Sequence, residues 1–176
     1  MTNYFERLGL PRRFSVDPAV VEREYLARSR ELHPDFHHAG GSAEQRASLE
    51  LTAALNEAYV TLRDPFRRAE YLLSLLGGPT AREEKNLDQV FLMEMMDLRE
   101  RIEEAKGSGQ GLAAIEDDLS ARLAGLADRL ADEFAGLEAL PESAPERAGR
   151  LVRVRRHLNA AKTLQSLLRD VQADGF

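Results

Sequence analysis

Residues 17–42 read DPAVVEREYLARSRELHPDFHHAGGS, a helix-forming segment interrupted by a proline and followed by two glycines. Asp17 is a favoured N-cap and Pro18 suits the first helical position, so a helix is predicted to begin there. Pro34 ends that helix, because the residue before a proline avoids the α region. Residues 33–41 are therefore predicted to form a loop.

The predicted helix has two different faces. Successive residues turn by about 100°, which places Val21, Tyr25 and Leu32 on one face. Arg23 and Arg30 lie nearly opposite that face. The pattern indicates a buried apolar stripe and a basic outer face.

Three further helices are predicted around this segment. A short helix is predicted at about Tyr4–Leu8, ended by Gly9. Ser42 with Gln45 forms a capping box that opens a third helix. The third helix is predicted to bury Ala47, Leu51, Ala54, Leu55, Ala58 and Leu62. A fourth, opened by the capping pair Asp64-Pro65, is predicted to bury Phe66, Ala69, Leu72, Leu73 and Leu76.

The rest of the chain predicts a second helical domain. Residues 77–86 contain two glycines and a proline without periodicity, which indicates a linker between domains at 1–76 and 87–176. Three long helices follow, separated near residues 107–111 and 141–145. The last two place apolar residues three and four apart: Leu112, Ile115, Leu119, Leu123, Leu126, Leu130, Phe134, Leu137, and Leu151, Val154, Leu158, Ala161, Leu164, Leu168, Val171. The predicted fold is all-α, a helical hairpin domain joined to an antiparallel three-helix bundle.

Composition excludes several classes of function. The chain has no cysteine, so it cannot form a disulfide or hold a cluster or zinc ion by thiolates. Residues 1–76 hold 10 basic against 11 acidic residues, and residues 77–176 hold 14 against 19. Neither half has the basic excess of a nucleic-acid-binding protein. Without a leader or a membrane-length apolar run, the expectation is a cytoplasmic protein with no membrane or nucleic-acid partner.

The loop between the second and third helices holds the tripeptide His33-Pro34-Asp35. Its proline stiffens the turn, which would hold the imidazole and the carboxylate out toward a partner. A surface turn without function is the first alternative. A metal site is the second, and its ligands would be His33, Asp35, His37 and His38.

Four motifs together resemble a J-domain, the module that stimulates ATP hydrolysis by DnaK-type chaperones: His33-Pro34-Asp35, Asn56-Glu57-Ala58-Tyr59, Asp64-Pro65 and Arg68-Ala69-Glu70-Tyr71. The resemblance continues to the HscB family of iron–sulfur co-chaperones through AEYLLSL at 69–75, FLME at 91–94 and LRE at 98–100. It is specific to about residue 104 and weak in the last two helices. Phe36-His37-His38 departs from the family, in which a basic residue commonly follows the aspartate.

The resemblance implies a co-chaperone without a catalytic site or cofactor of its own. His33, Pro34 and Asp35 would switch on the ATPase of a DnaK/HscA-type chaperone, with Arg23 and Arg30 as docking charges. The second domain would hold an IscU-type iron–sulfur scaffold. Two alternatives remain, a J-domain co-chaperone for a different client and a metal-dependent enzyme built on the histidine loop.

The fifth helix carries more apolar residues than a bundle needs. Its packing seam, within about 40° of Phe91, consists of Leu87, Phe91, Met95, Leu98, Ile102 and Ala105. Leu92, Met93 and Met96 fall off this seam, with Arg99 and Glu100 on the same outer side. The pattern indicates either a wider contact within the protein, a contact with another copy, or a patch for a partner.

The family resemblance assigns scaffold binding to this stretch. Leu92, Met93 and Met96 would then be apolar anchors, and Arg99 and Glu100 would orient the partner. His157, beside the core position Leu158, aligns with an aromatic residue of the family that contacts the scaffold. A solvated position on the flank of the helix is the alternative for His157.

Overall fold

The computed structural model describes residues 2–31 and 42–173, with the side chains of 42–45 excepted. These residues form helices and connecting turns without a strand. The helices are α1 (Tyr4–Leu8), α2 (Pro18–Glu31), α3 (Ser42–Arg63), α4 (Pro65–Leu75), α5 (Gln89–Ser108), α6 (Leu112–Glu138) and α7 (Glu146–Ala173). The all-helical prediction is confirmed for the described part of the chain. None of these helices is both long and apolar enough to cross a membrane.

Two aspartate–proline pairs begin helices as the sequence predicts. The Asp17 carboxylate accepts a hydrogen bond of 2.9 Å from the backbone N–H of Ala19 at the start of α2. At the start of α4, the Asp64 carboxylate accepts one of 2.8 Å from the N–H of Arg67. Each bond satisfies an N–H group that has no partner within its own helix. The Ser42–Gln45 capping box lies outside the described side chains.

Contacts divide the chain within α4 into an N-terminal unit, Met1–Leu72, and a C-terminal unit, Leu73–Phe176. In the N-terminal unit, α1 and α2 both pack on α3. Its buried apolar residues are Phe5, Leu8, Leu10, Phe14, Val16, Val21, Leu55, Ala58, Leu62, Ala69 and Leu72. Tyr71 fixes α1 from the end of this unit: its ring stacks on Tyr4 with centroids 4.3 Å apart, and its Oη accepts from the Tyr4 N–H at 3.0 Å.

Two tyrosines set the register between α2 and α3. The Tyr25 ring stacks on Tyr59 with centroids 4.2 Å apart and planes 15° apart. The Tyr25 hydroxyl donates a hydrogen bond of 2.8 Å to Oδ1 of Asn56. Stacked rings with a shared polar contact favour one alignment of the two helices over slipped ones.

The prediction that the whole apolar face of α3 is buried is wrong for its first half. Leu55, Ala58 and Leu62 are buried, but Ala47 is exposed and Leu51 is 47% exposed. The register explains the difference: Tyr25 lies against Asn56 and Tyr59, so Glu31 at the end of α2 lies opposite about residue 52 of the antiparallel α3. The first turns of α3 therefore have no described helix beside them.

The C-terminal unit is a three-helix bundle in which α6 and α7 make the most extensive contact. Its buried apolar residues are Met95, Leu98, Ile102 and Ala105 of α5, Ile115, Leu119, Leu126, Leu130, Phe134 and Leu137 of α6, and Val154, Leu158, Ala160, Ala161, Leu164, Leu167 and Val171 of α7. Predicted core residues Leu112, Leu123, Leu151 and Leu168 are only partly buried. Ion pairs of Glu133 with Arg150 (2.9 Å) and Arg153 (2.6 Å) join α6 to α7.

The segment before α5 is tied to α7. The buried guanidinium of Arg155 donates to the Pro79 carbonyl at 2.8 Å, and the Asn159 amide donates to the Glu84 carbonyl at 3.0 Å. Asp88 then caps α5 by accepting from the N–H of Val90 at 2.9 Å. These bonds make residues 79–88 part of the C-terminal unit and fix where α5 begins.

Candidate functional site

The predicted switch residues His33, Pro34 and Asp35 lie outside the described residues, as do His37 and His38. The structure places the two helices that flank them, since α2 ends at Glu31 and α3 begins at Ser42. The role of the tripeptide therefore stays a prediction from the sequence.

The basic face of α2 is accessible. Arg23 is exposed and lies 3.5 Å from the Glu24 carboxylate, which also accepts from Arg28 at 2.7 Å. The hydrogen bond from Arg28 is the main reason why the pKa of Glu24 is lowered. Arg30 is exposed and has no carboxylate partner among the described residues. Both predicted docking charges are thus available to a partner.

Leu26 is a residue of this face that the sequence reasoning missed. Its side chain is 46% exposed. It lies three residues after Arg23 and four before Arg30, so all three share one side of the helix. An exposed leucine between two arginines combines apolar contact with charge on one docking face. The three-and-four spacing that identified the buried stripe could also have identified this residue.

The fifth helix divides as its sequence predicts. The seam residues Met95, Leu98, Ile102 and Ala105 are buried, whereas Phe91 and Leu87, which precedes α5, are only partly buried. The off-seam side chains are exposed: Leu92 by 46%, Met93 by 62% and Met96 by 67%. Neither α6 nor α7 covers these three, which we call the α5 patch. Arg99 and Glu100, one turn further along, are also exposed.

Val90 extends the exposed apolar surface at the start of α5. Its side chain is 63% exposed and lies one turn before Met93. The sequence reasoning missed Val90, although the 100° turn per residue also places it off the seam of Phe91. Four exposed apolar residues within two turns are more than a solvent-facing helix surface requires.

The α5 patch has a fixed orientation because α5 is held by charge as well as by its seam. Arg122 of α6 donates to the Glu94 carboxylate at 2.9 Å and to the Asp118 carboxylate at 3.2 Å. Glu94 projects from the side of α5 that contacts α6. The opposite side, which carries the patch, is therefore turned away from α6.

His157 lines a groove rather than a fully solvated flank. The groove has a volume of about 480 Å³ and lies where the start of α5 meets α6 and α7. Its apolar lining comes from Leu87, Phe91, Leu126 and Ala160. We call this feature the His157 groove.

The surroundings of the His157 imidazole favour its neutral form. Burial lowers its pKa from the ordinary value, and the positive charges of Arg129 and Arg153 lower it further. Glu133 opposes them but does not reverse the direction. A neutral imidazole in a half-apolar groove can contact an apolar partner at lower desolvation cost than a charged one.

Arg99 and Glu100, the two polar residues near the patch, differ in their position relative to a second cavity. It has a volume of about 280 Å³ and lies between α5 and α7. Arg99 contributes to its wall together with Glu103, Lys106 and Asp170, whereas Glu100 does not.

Within the described residues, no group of three or more histidine or acidic side chains could hold a metal ion.

Comparisons with known proteins agree with this architecture. A family model described as the HscB C-terminal oligomerisation domain matches residues 87–168. The co-chaperone protein HscB homolog of Burkholderia mallei is 39% identical over 142 residues, which cover 80% of this chain and 78% of the relative. The homolog of Vibrio cholerae is 40% identical over 114 residues, which cover 64% and 67%.

Two solved structures share the fold over nearly the whole chain. The chaperone HscB from Vibrio cholerae matches with a TM-score of 0.78 and 29% identity, covering 97% of this chain and 96% of that one. The human co-chaperone protein HscB matches with a TM-score of 0.77 and 23% identity, covering 97% and 81%. The predicted combination of a J-domain with a C-terminal helical bundle is confirmed by these matches.

The lowered pKa of His157 predicts a pH-dependent stability. The neutral form favoured by the fold contributes fully above the ordinary histidine pKa of about 6.5, and its contribution is lost as the pH falls through the folded-state pKa. The urea midpoint of the unaltered chain should therefore fall relative to that of His157→Gln between pH 7.5 and pH 5. Comparing the urea midpoints of the two proteins cancels the contributions of the other three histidines, because both proteins contain them. A difference that does not change with pH would contradict the lowered pKa.

Proposed function

The chain belongs to the HscB family of co-chaperones, and we propose that it stimulates the ATPase of a DnaK/HscA-type chaperone and delivers an IscU-type iron–sulfur scaffold to it. The observation that carries this proposal is the α5 patch, an exposed apolar surface on a helix whose buried seam already closes the bundle. The patch and the His33-Pro34-Asp35 loop belong to different units of the chain. One chain can therefore offer separate surfaces to two partners.

The N-terminal unit supports the chaperone half of the proposal through α2. Arg23 and Arg30 would steer α2 toward an acidic surface on the chaperone, with Leu26 between them as an apolar contact. Exposed charges of this kind raise the association rate and set the orientation more than they raise the affinity. Docking of α2 would bring the adjoining loop to the chaperone, where the imidazole of His33 and the carboxylate of Asp35 act on the hydrolytic machinery. The ATP is bound and hydrolysed by the chaperone.

The C-terminal unit supports the scaffold half. A large apolar side chain stabilises an interface by about 1.5–3 kcal/mol when it passes from full exposure to full burial. Leu92, Met93 and Met96 begin about half exposed or more, so together they offer several kcal/mol to a complementary partner. The flexible thioethers of the two methionines adapt to the partner's shape. The cluster would stay on the scaffold, because this chain has no thiolate to hold it.

His33→Gln should lower the stimulation of the chaperone ATPase by about tenfold or more. The comparison is with the unaltered chain, both proteins at saturating concentration. Glutamine is uncharged and lacks the imidazole ring, so the loop would dock without its acting group. Steady-state ATP hydrolysis by a DnaK/HscA-type chaperone measures this effect. His38→Gln, in the same loop but outside the tripeptide, is the matched control and should stimulate normally. Equal stimulation by His33→Gln and the unaltered chain would remove the proposed role of the loop.

Leu92→Ala/Met96→Ala should weaken scaffold binding at least tenfold, because both truncations remove apolar area from the centre of the proposed interface. Titration calorimetry with a purified IscU-type scaffold measures the Kd. Circular dichroism should show unchanged helicity, since neither side chain belongs to the core.

The control for general apolar loss is Leu49→Ala/Val60→Ala, which truncates two exposed residues of α3, 65% and 42% exposed. Its Kd for the scaffold should match that of the unaltered chain. Equal affinities for all three proteins would assign the α5 patch to a different client or to none.

A further inference from the structure

The N-terminal unit has a basic end that takes no part in the proposed function. Because α2 and α3 are antiparallel, the start of α2, the end of α3 and the start of α4 lie together at this end. Residues 12–17, which lead into α2, and residues 62–68 contain five arginines, no lysine and two aspartates. This excess of positive charge lies in a chain whose net charge is −6. A local reversal of sign favours an anionic partner at this end.

One buried contact holds the three segments together. The buried Arg68 guanidinium donates to the Leu62 carbonyl at 2.5 Å, and its Cζ lies 5.1 Å from the centroid of the Phe14 ring. Four exposed arginines lie within two residues of these three positions, and we call them the basic pole: Arg12, Arg13, Arg63 and Arg67. Consecutive Cα atoms are about 3.8 Å apart, so the backbones of all four lie around one contact.

The charges of the basic pole are not neutralised within the described part of the chain. The guanidinium groups of Arg12, Arg13 and Arg67 have neither a carboxylate partner nor a hydrogen bond among the described residues. Arg63 lies over the Tyr59 ring, 5.4 Å from its centroid, and likewise has no carboxylate partner there. All four positive charges are therefore available to an incoming anion.

The two aspartates of this end have other partners. Asp17 accepts from the Ala19 N–H at 2.9 Å, and Asp64 accepts from the Arg67 N–H at 2.8 Å. Each carboxylate lies at the positive end of a helix dipole, which stabilises its charge. Burial lowers the pKa of Arg68, and the negative charge of Asp64 opposes that change. The two acidic groups thus serve the helix starts and the buried Arg68.

The loop that carries half of the basic pole has a fixed backbone. The N–H of Arg13 donates to the Pro11 carbonyl, and that of Val16 to the Phe14 carbonyl, both at 2.9 Å. The apolar side chains of Leu10, Phe14 and Val16 are buried, which holds the loop against the unit. A surface that is ordered before binding loses less conformational entropy when a partner arrives.

The chemistry of the basic pole favours carboxylates of a protein segment. A guanidinium group is a planar fork that pairs with a carboxylate through two parallel hydrogen bonds. A long nucleic acid or an anionic membrane would also meet residues 77–176, whose 14 basic and 19 acidic residues repel it. Phe14 is buried, and Tyr59 and Phe66 are partly buried, so the pole has no open aromatic platform for bases.

We propose that the basic pole binds an acidic segment of a partner protein, whose carboxylates pair with the guanidinium groups of Arg12, Arg13 and Arg67. Arg63, steadied by Tyr59, extends the same surface. The 14 residues of α2 span about 20 Å, so the pole is well separated from the end of α2 that residues 32–41 follow. This inference does not depend on the proposed chaperone and scaffold.

The test uses the full-length chain and a short fluorescent peptide of alternating glutamate and serine, with the Kd measured by fluorescence anisotropy at low and at high salt. Arg12→Gln/Arg67→Gln removes two of the four charges. It should raise the Kd about tenfold at low salt, with a smaller effect at high salt because exposed pairs are screened. Circular dichroism should show unchanged helicity, since both side chains are exposed.

The matched control is Arg46→Gln/Arg169→Gln, which removes the same charge from two exposed arginines. Arg46 lies about 25 Å along α3 from Arg63, and Arg169 belongs to α7 of the other unit. The Kd of this control should stay within about twofold of that of the unaltered chain. A single-stranded oligonucleotide and phosphatidylserine vesicles serve as comparison probes and should bind more weakly than the peptide.

Four results would overturn the proposal. The first is absence of peptide binding by the unaltered chain at low salt, and the second is equal weakening in the pole variant and its matched control. The third is weakening by Arg30→Gln in place of the pole variant, which would assign the peptide to the face of α2. The fourth is tighter binding of the oligonucleotide or the vesicles, lost in the pole variant, which would make the partner a nucleic acid or a membrane.

Discussion

The buried seam of α5 is the constraint on which the C-terminal unit depends. Met95, Leu98 and Ile102 are each less than 5% exposed, and they close the bundle against α6 and α7. Once this stripe faces inward, the 100° turn of the helix forces Leu92 and Met96 outward, because no rotation of α5 can bury both sets. The exposed patch therefore follows from the way the core packs. Exposed apolar side chains that the core does not need are the main structural argument for a partner.

The N-terminal unit shows a similar separation of fold from function. Its stability comes from α1 and α2 packing on α3, with the stacked Tyr25 and Tyr59 setting the register. Arg23, Leu26 and Arg30 take no part in that packing and form the outer face of α2. In both units, one helix contributes one face to the core and leaves its other face exposed. The proposed adaptor needs no more than this from each unit.

Much of the fold could be predicted because its signals are local. Asp17-Pro18 and Asp64-Pro65 mark helix starts through hydrogen bonds that span only two or three residues. The buried seam of α5 follows from the regular spacing of its apolar residues along the helix. The features that could not be predicted from the sequence depend on where the helices end relative to one another. Leu51 fits the apolar face of α3 but is 47% exposed, because it lies at the end of the described part of α2 and not alongside it. The His157 groove likewise depends on where α5 begins. Hydrogen bonds between residues 79–88 and α7 fix that start at Gln89.

The proposed adaptor brings a client and a chaperone together through separate surfaces of one chain, and ATPase measurements with all three proteins test this role. The chaperone's hydrolysis rate is measured with this chain alone, with the scaffold alone and with both. We expect the two together to increase the rate by more than the sum of their separate effects, because the chain would present the scaffold while it stimulates hydrolysis. A rate equal to that sum would contradict it.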